Sequence, residues 1–357
     1  MNTGFWSGKK ILITGHTGFK GAWLSLWLHS MNAKVIGYSL KPPTKPSLFE
    51  VARVDEIMTE SCIGDVRDFQ HLADIFERFQ PEIVFHMAAQ PLVRYSYENP
   101  IETYATNVMG TVNLLEAVRN NGNVKEVIVV TSDKCYENRE WIWGYRENDP
   151  MGGFDPYSNS KGCAELITSA YRNSFFNNIG ASKSSIAIAS VRAGNVIGGG
   201  DWATDRLVPD VINAFIEKKP VTIRNPKAIR PWQHVLEPLR GYLMLAEKLW
   251  ENGTEFSEGW NFGSNDEDVK SVDWIVDRLV ALWGCGASWG GDLSEHPHEA
   301  TLLKLDCSKA KTRLAWHPTW KLDTALEKIV EWYQCYQSSA DMREITLKQI
   351  NEYMQLN

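Results

Sequence analysis

The sequence has no long apolar segment, no block of basic residues and no closely spaced cysteines. A membrane-spanning helix needs about 20 consecutive apolar residues, and no run approaches that length. The formal net charge is -7 at pH 7, with acidic residues spread along the chain, which argues against nucleic acid as a partner. The start, MNTGFWSGKK, leads into a predicted strand without a signal-peptide core. We therefore expect no nucleic-acid partner and no membrane partner.

The six cysteines form no CxxC pair and no His/Cys spacing typical of a metal site. They are Cys62, Cys135, Cys163, Cys285, Cys307 and Cys335. Scattered cysteines of this kind are typical of reduced thiols in a reducing compartment. The sequence therefore predicts a cytoplasmic protein without a metal centre.

Short apolar runs alternate with helical patterns through the first half of the 357 residues, as in KKILITG and EIVFHMAA. The two longest helical patterns cover about 100–120 and 157–175. This alternation predicts an α/β fold with a Rossmann-type doubly wound parallel sheet.

Beyond about residue 200 the alternation becomes irregular. The runs VTIRN, WNFGS and LLKLD predict short strands, and helical patterns cover about 206–217, 236–250, 271–284 and 323–336. We expect a Rossmann-type domain over 1–200 and a smaller C-terminal α/β substrate lobe over 201–357, with the chain crossing between them more than once. The tail after Ser338 is expected to form a peripheral helix.

A glycine-rich turn follows the first predicted strand, because ILITGHTGFKG has glycines at G-x-x-G-x-x-G spacing. Glycine allows a tight turn, close approach of the backbone to a pyrophosphate, and a helix N-terminus that points at it. Since a strand precedes the motif and a helix follows, it favours a dinucleotide site over a plain turn. The residues expected at the cofactor here are Gly15, His16, Thr17, Gly18, Phe19, Lys20 and Gly21.

The second strand ends in GYSLKPP, without the acidic residue that commonly binds the adenosine ribose. Loss of that charged contact predicts weak retention of the cofactor and leaves NAD versus NADP open. Crowding of the pyrophosphate by His16 and Thr17 would have the same effect. Asp65, after the third strand, is a candidate partner of the adenine amino group, and the alternative is a helix N-cap.

DPYSNSKGCAE places Tyr157 and Lys161 on one face of a predicted helix. An ammonium group beside a phenol favours the phenolate and lowers the phenol pKa from about 10. Tyr157 could then take a hydroxyl proton while hydride leaves the same carbon, with help from Ser132 at the end of the fifth strand. The alternatives are a solvated helix face for the Tyr–Lys pair and a loop-closing salt bridge for Asp133 and Lys134.

These motifs, with TNVMGT, VRAGNVIGGGD and RPWQHVLE, resemble the extended short-chain dehydrogenase/reductases over nearly the whole chain, and more closely the nucleotide-sugar 4,6-dehydratases. TSDK, GGGDW and IRPWQHVLE are most similar to members that act on CDP-glucose in bacterial deoxysugar pathways, such as lipopolysaccharide O-antigen biosynthesis. The resemblance implies NAD as cofactor, a nucleotide-sugar substrate and a homodimer through helices 100–120 and 157–175. The alternatives are another nucleotide-glucose as substrate, a nucleotide-sugar 4-epimerase, and a catalytically silent NAD(H)-binding scaffold.

The resemblance also implies an internal redox cycle. Tyr157, Ser132 and Lys161 would remove the hydroxyl proton at carbon 4, and Asp133 would be the acid that protonates the hydroxyl leaving carbon 6. Lys134 stands where glutamate is expected as the base at carbon 5. A lysine acts as a base only when neutral, so the alternative is that Lys134 merely holds Asp133 or the next loop.

Further residues are assigned to the two ligands by the resemblance. Those on the cofactor side are Asp65, Val66, Ala88, Ala89, Gln90, Asn107, Tyr157, Lys161, Ala193 and Gly194. Those on the substrate side are Asn195, Arg206, Arg224, Arg230 and Trp232. The planar guanidinium group suits the diphosphate, whereas His234 is expected to be structural.

Overall fold

The computed structural model describes residues 2–176, 186–284, 286–292 and 302–356. Its strands are β1 (Lys10–Thr14), β2 (Lys34–Ser39), β3 (Glu60–Ile63), β4 (Ile83–His86), β5 (Glu126–Val130), β6 (Ala187–Arg192), β7 (Val196–Ile197), β8 (Val221–Ile223), β9 (Ile229–Pro231), β10 (Gln233–His234), β11 (Gly259–Asn261), β12 (Val269–Ser271) and β13 (Trp289–Gly291).

The α-helices are α1 (Thr3–Trp6), α2 (Phe19–Ser30), α3 (Leu48–Val51), α4 (Phe69–Phe79), α5 (Val93–Glu98), α6 (Pro100–Tyr104), α7 (Gly110–Asn120), α8 (Pro156–Tyr171), α9 (Leu207–Ile216), α10 (Leu236–Asn252), α11 (Val272–Trp283), α12 (Ser308–Arg313), α13 (Leu322–Gln337) and α14 (Met342–Gln355). Short 3₁₀ turns cover Val54–Ile57, Asp133–Cys135, Gly253–Phe256 and Asp266–Asp268, and π-turns cover Ala105–Met109 and Arg172–Phe176. In the described residues, no helix is long and apolar enough to cross a bilayer.

One parallel sheet of seven strands carries the fold, in the order β11-β6-β5-β4-β1-β2-β3. The chain builds the sheet outward from β1 in one direction through β2 and β3, and then in the other through β4, β5 and β6. β1 pairs with β2 on one side and β4 on the other, so the strand order reverses there. The predicted Rossmann-type doubly wound sheet is confirmed, and the reversal opens a crevice at the carboxyl ends of the strands.

Alternate residues of the strands pack into two separate cores, because helices cover both faces of the sheet. Ile11 and Ile13 of β1 belong to the cluster that contains Trp23 of α2. Leu12 belongs to the other cluster, with α4 and α7 side chains such as Leu115. The buried strands therefore appear in the sequence as continuous apolar runs, which is why they were predictable.

The tail after Ser338 forms α14, but the prediction that this helix is peripheral is wrong. Tyr353 is fully buried, and its hydroxyl donates a hydrogen bond to Glu237 of α10 over 2.6 Å. Ile350 is also fully buried. The helix is thus part of the core beside α2 and α13.

The strand predicted for LLKLD is also wrong, because the described residues 302–306 form only an isolated bridge between Leu305 and Tyr145. The predicted division at residue 200 remains a prediction. The chain does return to the main sheet, since β11 pairs with β6. Five cysteines in the described residues are free thiols, and Cys285 lies outside them.

Candidate active site

A cleft of about 1390 Å³ lies at the carboxyl ends of the central strands. Its walls come from the loops after β1, β4 and β5, the start of α8, and the segments after β6 and β8. This is the place where open α/β sheets bind ligands, because the strand order reverses there.

The glycine loop after β1 packs so tightly against neighbouring backbone that side chains at its glycines would not fit. A Cβ on Gly15 would lie 2.7 Å from the backbone nitrogen of Ala88, and Gly15 has a φ of +80°. A Cβ on Gly21 would lie 2.2 Å from the carbonyl oxygen of Gly15. Gly18 is the N-cap of α2, so a helix N-terminus faces the cleft. These features fit the pyrophosphate of a dinucleotide.

The side chain of His16 lies in the core and not in the cleft, so its predicted crowding of the pyrophosphate is wrong. It occupies the space that Gly37 of β2 leaves, since a Cβ there would lie 2.4 Å from the imidazole ring. Its Nε2 hydrogen-bonds with the Ser61 hydroxyl over 2.8 Å. Burial lowers the pKa of His16 to about 4, so the ring is neutral at physiological pH.

Hydroxyl groups occupy the end of β2, where an acidic residue is missing. Thr17 Oγ1 donates to the carbonyl oxygen of Leu40 over 2.9 Å and lies 2.9 Å from Ser39 Oγ. Thr17, Ser39, Leu40 and Lys41 all line the cleft. The expectation of weak cofactor retention stays a prediction.

Asp65 lines the cleft beside Val66, but it is not a helix N-cap. Asp68 caps α4 instead, by accepting a hydrogen bond from the backbone N–H of His71. The Asp65 carboxylate accepts hydrogen bonds from the guanidinium group and the backbone N–H of Arg67, which lowers the pKa of that carboxyl. The adenine role for Asp65 stays a prediction.

Asn107 joins the loop after β4 to α8. Its Oδ1 accepts from the backbone N–H of Gln90 over 2.8 Å, and its Nδ2 donates to Ser160 Oγ over 2.8 Å. The side chains of Gln90 and Asn107 lie behind the cleft, whereas Ala88 and Ala89 line it. Asn107 therefore links the loop after β4 to α8 without lining the cleft, and the predicted roles of Asn107 and Gln90 at the cofactor stay predictions.

Asp133 is the most exceptional acid in the site, because it is 3% exposed and its Oδ2 has no hydrogen-bond partner among the described residues. Its Oδ1 accepts from the Ser132 hydroxyl over 2.9 Å, and the backbone N–H of Lys134 donates to the same hydroxyl over 3.2 Å. Gly194 makes room for this carboxylate, since a Cβ there would lie 1.9 Å from Oδ2. Asp133 lines the cleft, and a buried carboxylate oxygen without a partner is an exception that suits the residue to an interaction with a ligand. The predicted salt bridge between Asp133 and Lys134 is not formed.

Lys134 lines the cleft and is exposed. The base role for Lys134 stays a prediction.

Tyr157 and Lys161 are both buried at the wall of the cleft. They lie near the start of α8, which begins at Pro156 and is capped by Asp155. Burial raises the pKa of Tyr157 to about 12, and the nearby Ser132 hydroxyl acts in the opposite direction. Burial lowers the pKa of Lys161 to about 8, and its Nζ donates to the carbonyl oxygen of Val130 over 3.3 Å. The predicted lowering of the phenol pKa is thus not present in the protein alone.

A buried ion pair holds α8 against the sheet. Arg192 donates from Nε and Nη2 to the two carboxylate oxygens of Glu165, each over 2.8 Å. Thr131, next to the Ser132 turn, donates to the same carboxylate. Burial opposes ionisation of Glu165, but Arg192 outweighs it and the pKa of Glu165 is lowered. Removal of either partner would leave an unpaired buried charge beside Lys161.

Lys20, which the glycine motif predicted at the cofactor, is a further lysine of the cleft, and its position near Asp133 could not be predicted from the sequence. Burial, with Lys161 and Arg206 nearby, lowers the pKa of Lys20 to about 8, and Asp133 acts in the opposite direction. Its Nζ lies 6.0 Å from the ring centroid of Tyr242. The glycine motif itself gives no sign of this, because the direction of the side chain depends on the packing of α10.

The predicted substrate residues line the opposite wall of the cleft: Asn195, Arg206, Arg224, Arg230 and Trp232. Ala193 lines it too, whereas Gly194 lies behind it against Asp133. His234 is fully buried and accepts from the backbone N–H of Leu236, so its structural role is confirmed. The cleft thus brings the glycine loop, the Tyr–Lys pair and the arginines together.

The family model for GDP-mannose 4,6 dehydratase matches residues 12–329. The chain is also 60% identical over 354 residues to CDP-glucose 4,6-dehydratase of Salmonella typhimurium, covering 99% of this chain and 98% of that relative. The chain belongs to the GDP-mannose 4,6 dehydratase family.

Solved structures agree with the fold of this dehydratase family. The dTDP-glucose 4,6-dehydratase of Bacillus anthracis, in complex with NAD, has a TM-score of 0.75 at 21% identity, covering 94% of this chain and 100% of that chain. A UDP-glucuronic acid 4-epimerase of Bacillus cereus, in complex with UDP-glucuronic acid and NAD, has a TM-score of 0.77 at 24% identity, covering 92% and 99%. Because dehydratase and epimerase share the fold, the reaction must be argued from the site.

Proposed function

We propose that this chain is an NAD-dependent 4,6-dehydratase that converts CDP-glucose into CDP-4-keto-6-deoxyglucose. The 60% identity to a CDP-glucose 4,6-dehydratase supports the substrate. The observation that carries the reaction type is the unpartnered, buried Oδ2 of Asp133, in the same cleft as Tyr157 and Lys161. A 4-epimerase needs the Tyr–Lys pair but no acid to expel water.

NAD fits the residues of this site. The glycine loop and the N-terminus of α2 would hold its pyrophosphate, and Asp65 and Val66, which line the cleft, would lie beside its adenosine. Bound NAD supplies the acceptor and donor of hydride in the internal cycle. Weak retention of the cofactor, and the choice against NADP, remain predictions from the end of β2.

The protein residues would move protons. Tyr157, assisted by Ser132 and Lys161, takes the proton of the hydroxyl at carbon 4. Asp133 donates a proton to the hydroxyl that leaves carbon 6 as water, and Lys134 takes the proton of carbon 5. Asn195 and Arg206, Arg224, Arg230 and Trp232 on the facing wall would bind the nucleoside diphosphate.

The test is turnover of CDP-, UDP-, dTDP- and GDP-glucose by the purified protein with added NAD. We expect a 4-keto-6-deoxy sugar from CDP-glucose, measured as ketone absorbance in alkali and by mass spectrometry. Formation of CDP-galactose would establish the epimerase instead. No turnover with any of the four sugars would leave a nucleotide-binding scaffold.

We predict that Lys134→Met removes turnover by about 10²–10⁴-fold, the range expected for loss of a positioned acid–base group. The enzyme should still oxidise carbon 4, so absorbance of reduced nicotinamide should build up with substrate. The matched variant is Lys20→Met, since Lys20 is the other lysine close to Asp133. A stall in Lys20→Met with normal turnover in Lys134→Met would assign the base to Lys20.

We also propose a homodimer through the surface of α6, α7 and α8. Large apolar side chains are exposed there, including Ile101 at 86%, Met109 at 52% and Leu166 at 60%. Such a patch is costly to leave in water, which favours a second copy as its cover. Cytoplasmic location remains part of the proposal.

A further inference from the structure

An arginine without a recognised sequence motif lies close to the predicted substrate residues of the cleft. Arg94 lies on α5, just after the loop that follows β4, and lines the cleft. Its Nη1 lies 3.5 Å from Oδ1 of Asp205. Arg224, at the end of β8, donates from Nη1 to the same oxygen over 3.1 Å. One carboxylate oxygen is therefore shared by two guanidinium groups from distant parts of the chain.

The contact with Asp205 uses few of the hydrogen-bond donors of the two arginines. A guanidinium group has five N–H donors in a planar fork, and within the described residues Arg94 and Arg224 each direct a single nitrogen to Asp205. Asp210 also lies near both arginines, so their charge is largely balanced. The unused N–H donors of the two guanidinium groups are what suit this part of the cleft to an additional anion.

Both arginine and aspartate side chains surround Asp205, and a bound diphosphate would change which of them pair. Arg206 pairs with Asp201 over 2.8 Å next to this group. Asp210 also lines the cleft; burial raises its pKa to about 6, with Arg224 and Arg94 opposing and Asp205 and Asp201 contributing. A diphosphate is more highly charged than a carboxylate and matches guanidinium groups in bidentate geometry.

We propose that Arg94 binds the diphosphate of the nucleotide-sugar together with Arg224, and that Asp205 holds the two guanidinium groups in place until the diphosphate replaces it. The proposal rests on the proposed function, because it assigns a residue to the same substrate.

The test is calorimetric binding of CDP and of cytidine, without turnover, to wild type and variants. Arg94→Gln should weaken CDP binding by about tenfold to a hundredfold, because a charge-assisted hydrogen bond is lost. Cytidine, which has no phosphate, should bind equally to both. Arg94→Lys should recover part of the affinity, and in turnover Arg94→Gln should raise KM and leave kcat within about twofold.

Asp205→Asn should change CDP affinity in the opposite direction. Asparagine also tolerates the φ of 60° at this residue, so the substitution does not strain the backbone. Freed from the carboxylate, the arginines should bind CDP up to about fivefold more tightly. The matched control is Arg78→Gln, an exposed arginine that lies 3.8 Å from Glu60 and does not line the cleft, and it should change nothing.

Unchanged CDP affinity in Arg94→Gln, or a loss in Asp205→Asn as large as that in Arg94→Gln, would overturn the inference while CDP-glucose turnover still supported the proposed function. Conversely, wild-type binding of UDP, dTDP or GDP but not CDP would overturn the substrate assignment. The Arg94 effect would then be measured on the diphosphate that binds, because the inference concerns the phosphates and not the base.

Discussion

Tyr157→Phe should abolish oxidation at carbon 4, with a fall in kcat of about 10²–10⁴-fold or more. A phenyl ring cannot accept the hydroxyl proton, and Tyr157 is only 8% exposed where it lines the cleft. No absorbance of reduced nicotinamide should appear on mixing with substrate. The step lost is therefore the first, before any loss of water.

The protonation state of Tyr157 and a matched control variant bear on whether its role is catalytic or structural. The pKa of Tyr157 in the protein alone is raised to about 12 by burial, so the phenol is protonated at neutral pH and must lose its proton as the ligands bind. The matched control is Tyr104→Phe, which removes the hydroxyl that donates to Asn159 over 3.0 Å on the neighbouring helix. A fall below tenfold in Tyr157→Phe, or an equal fall in Tyr104→Phe, would mean that another group is the base.

Asp133→Asn should uncouple the two halves of the reaction. Oxidation at carbon 4 survives, because the amide oxygen of the substituted side chain can still accept from Ser132, but the amide cannot give a proton to the leaving hydroxyl. Product formation should fall by about 10²–10⁴-fold while reduced nicotinamide builds up with substrate. Stopped-flow absorbance and analysis of the quenched sugar would measure both.

Gly194→Ala provides an independent check, since the added methyl group would lie 1.9 Å from Asp133 Oδ2 and must displace the carboxylate. It should reproduce the stall of Asp133→Asn without removing the acid. Gly122→Ala is the control, because a Cβ at Gly122 has no atom within 4 Å. If Asp133→Asn forms no reduced nicotinamide at all, Asp133 acts before the loss of water.

The main sheet and its long helices could be predicted because their physical signals are strong. β1, β4 and β5 are buried on both faces and therefore read as apolar runs, and Pro156 after Asp155 marks the start of α8. The pairs β12–β9 and β13–β8 could not be predicted, since strands of three residues have no measurable periodicity. LLKLD has such an apolar run, but Leu303 and Leu305 pack on Tyr136 and Tyr145 instead of extending a sheet.

The composition of the site was predictable, but the direction of its side chains was not. Motifs located Tyr157 and Asp133, whereas His16 turns into the space beside Gly37 and leaves the cleft. Arg94 carries no motif that distinguishes it from an ordinary surface arginine, and the glycine motif that contains Lys20 does not show which way its side chain points. Their roles depend on contacts with residues more than 100 positions away, such as Asp205, which no local pattern contains.

The pairing of β11 with β6 also protects the chain from aggregation. All six residues of β6 are buried, and β11 supplies three residues that cover its outer edge. Without them, β6 would present unpaired backbone groups and apolar side chains to any other strand, which is the arrangement that recruits further chains. During synthesis that edge stays open until residue 261 has emerged, so the nascent first half depends on rapid completion or on a chaperone to remain unassociated.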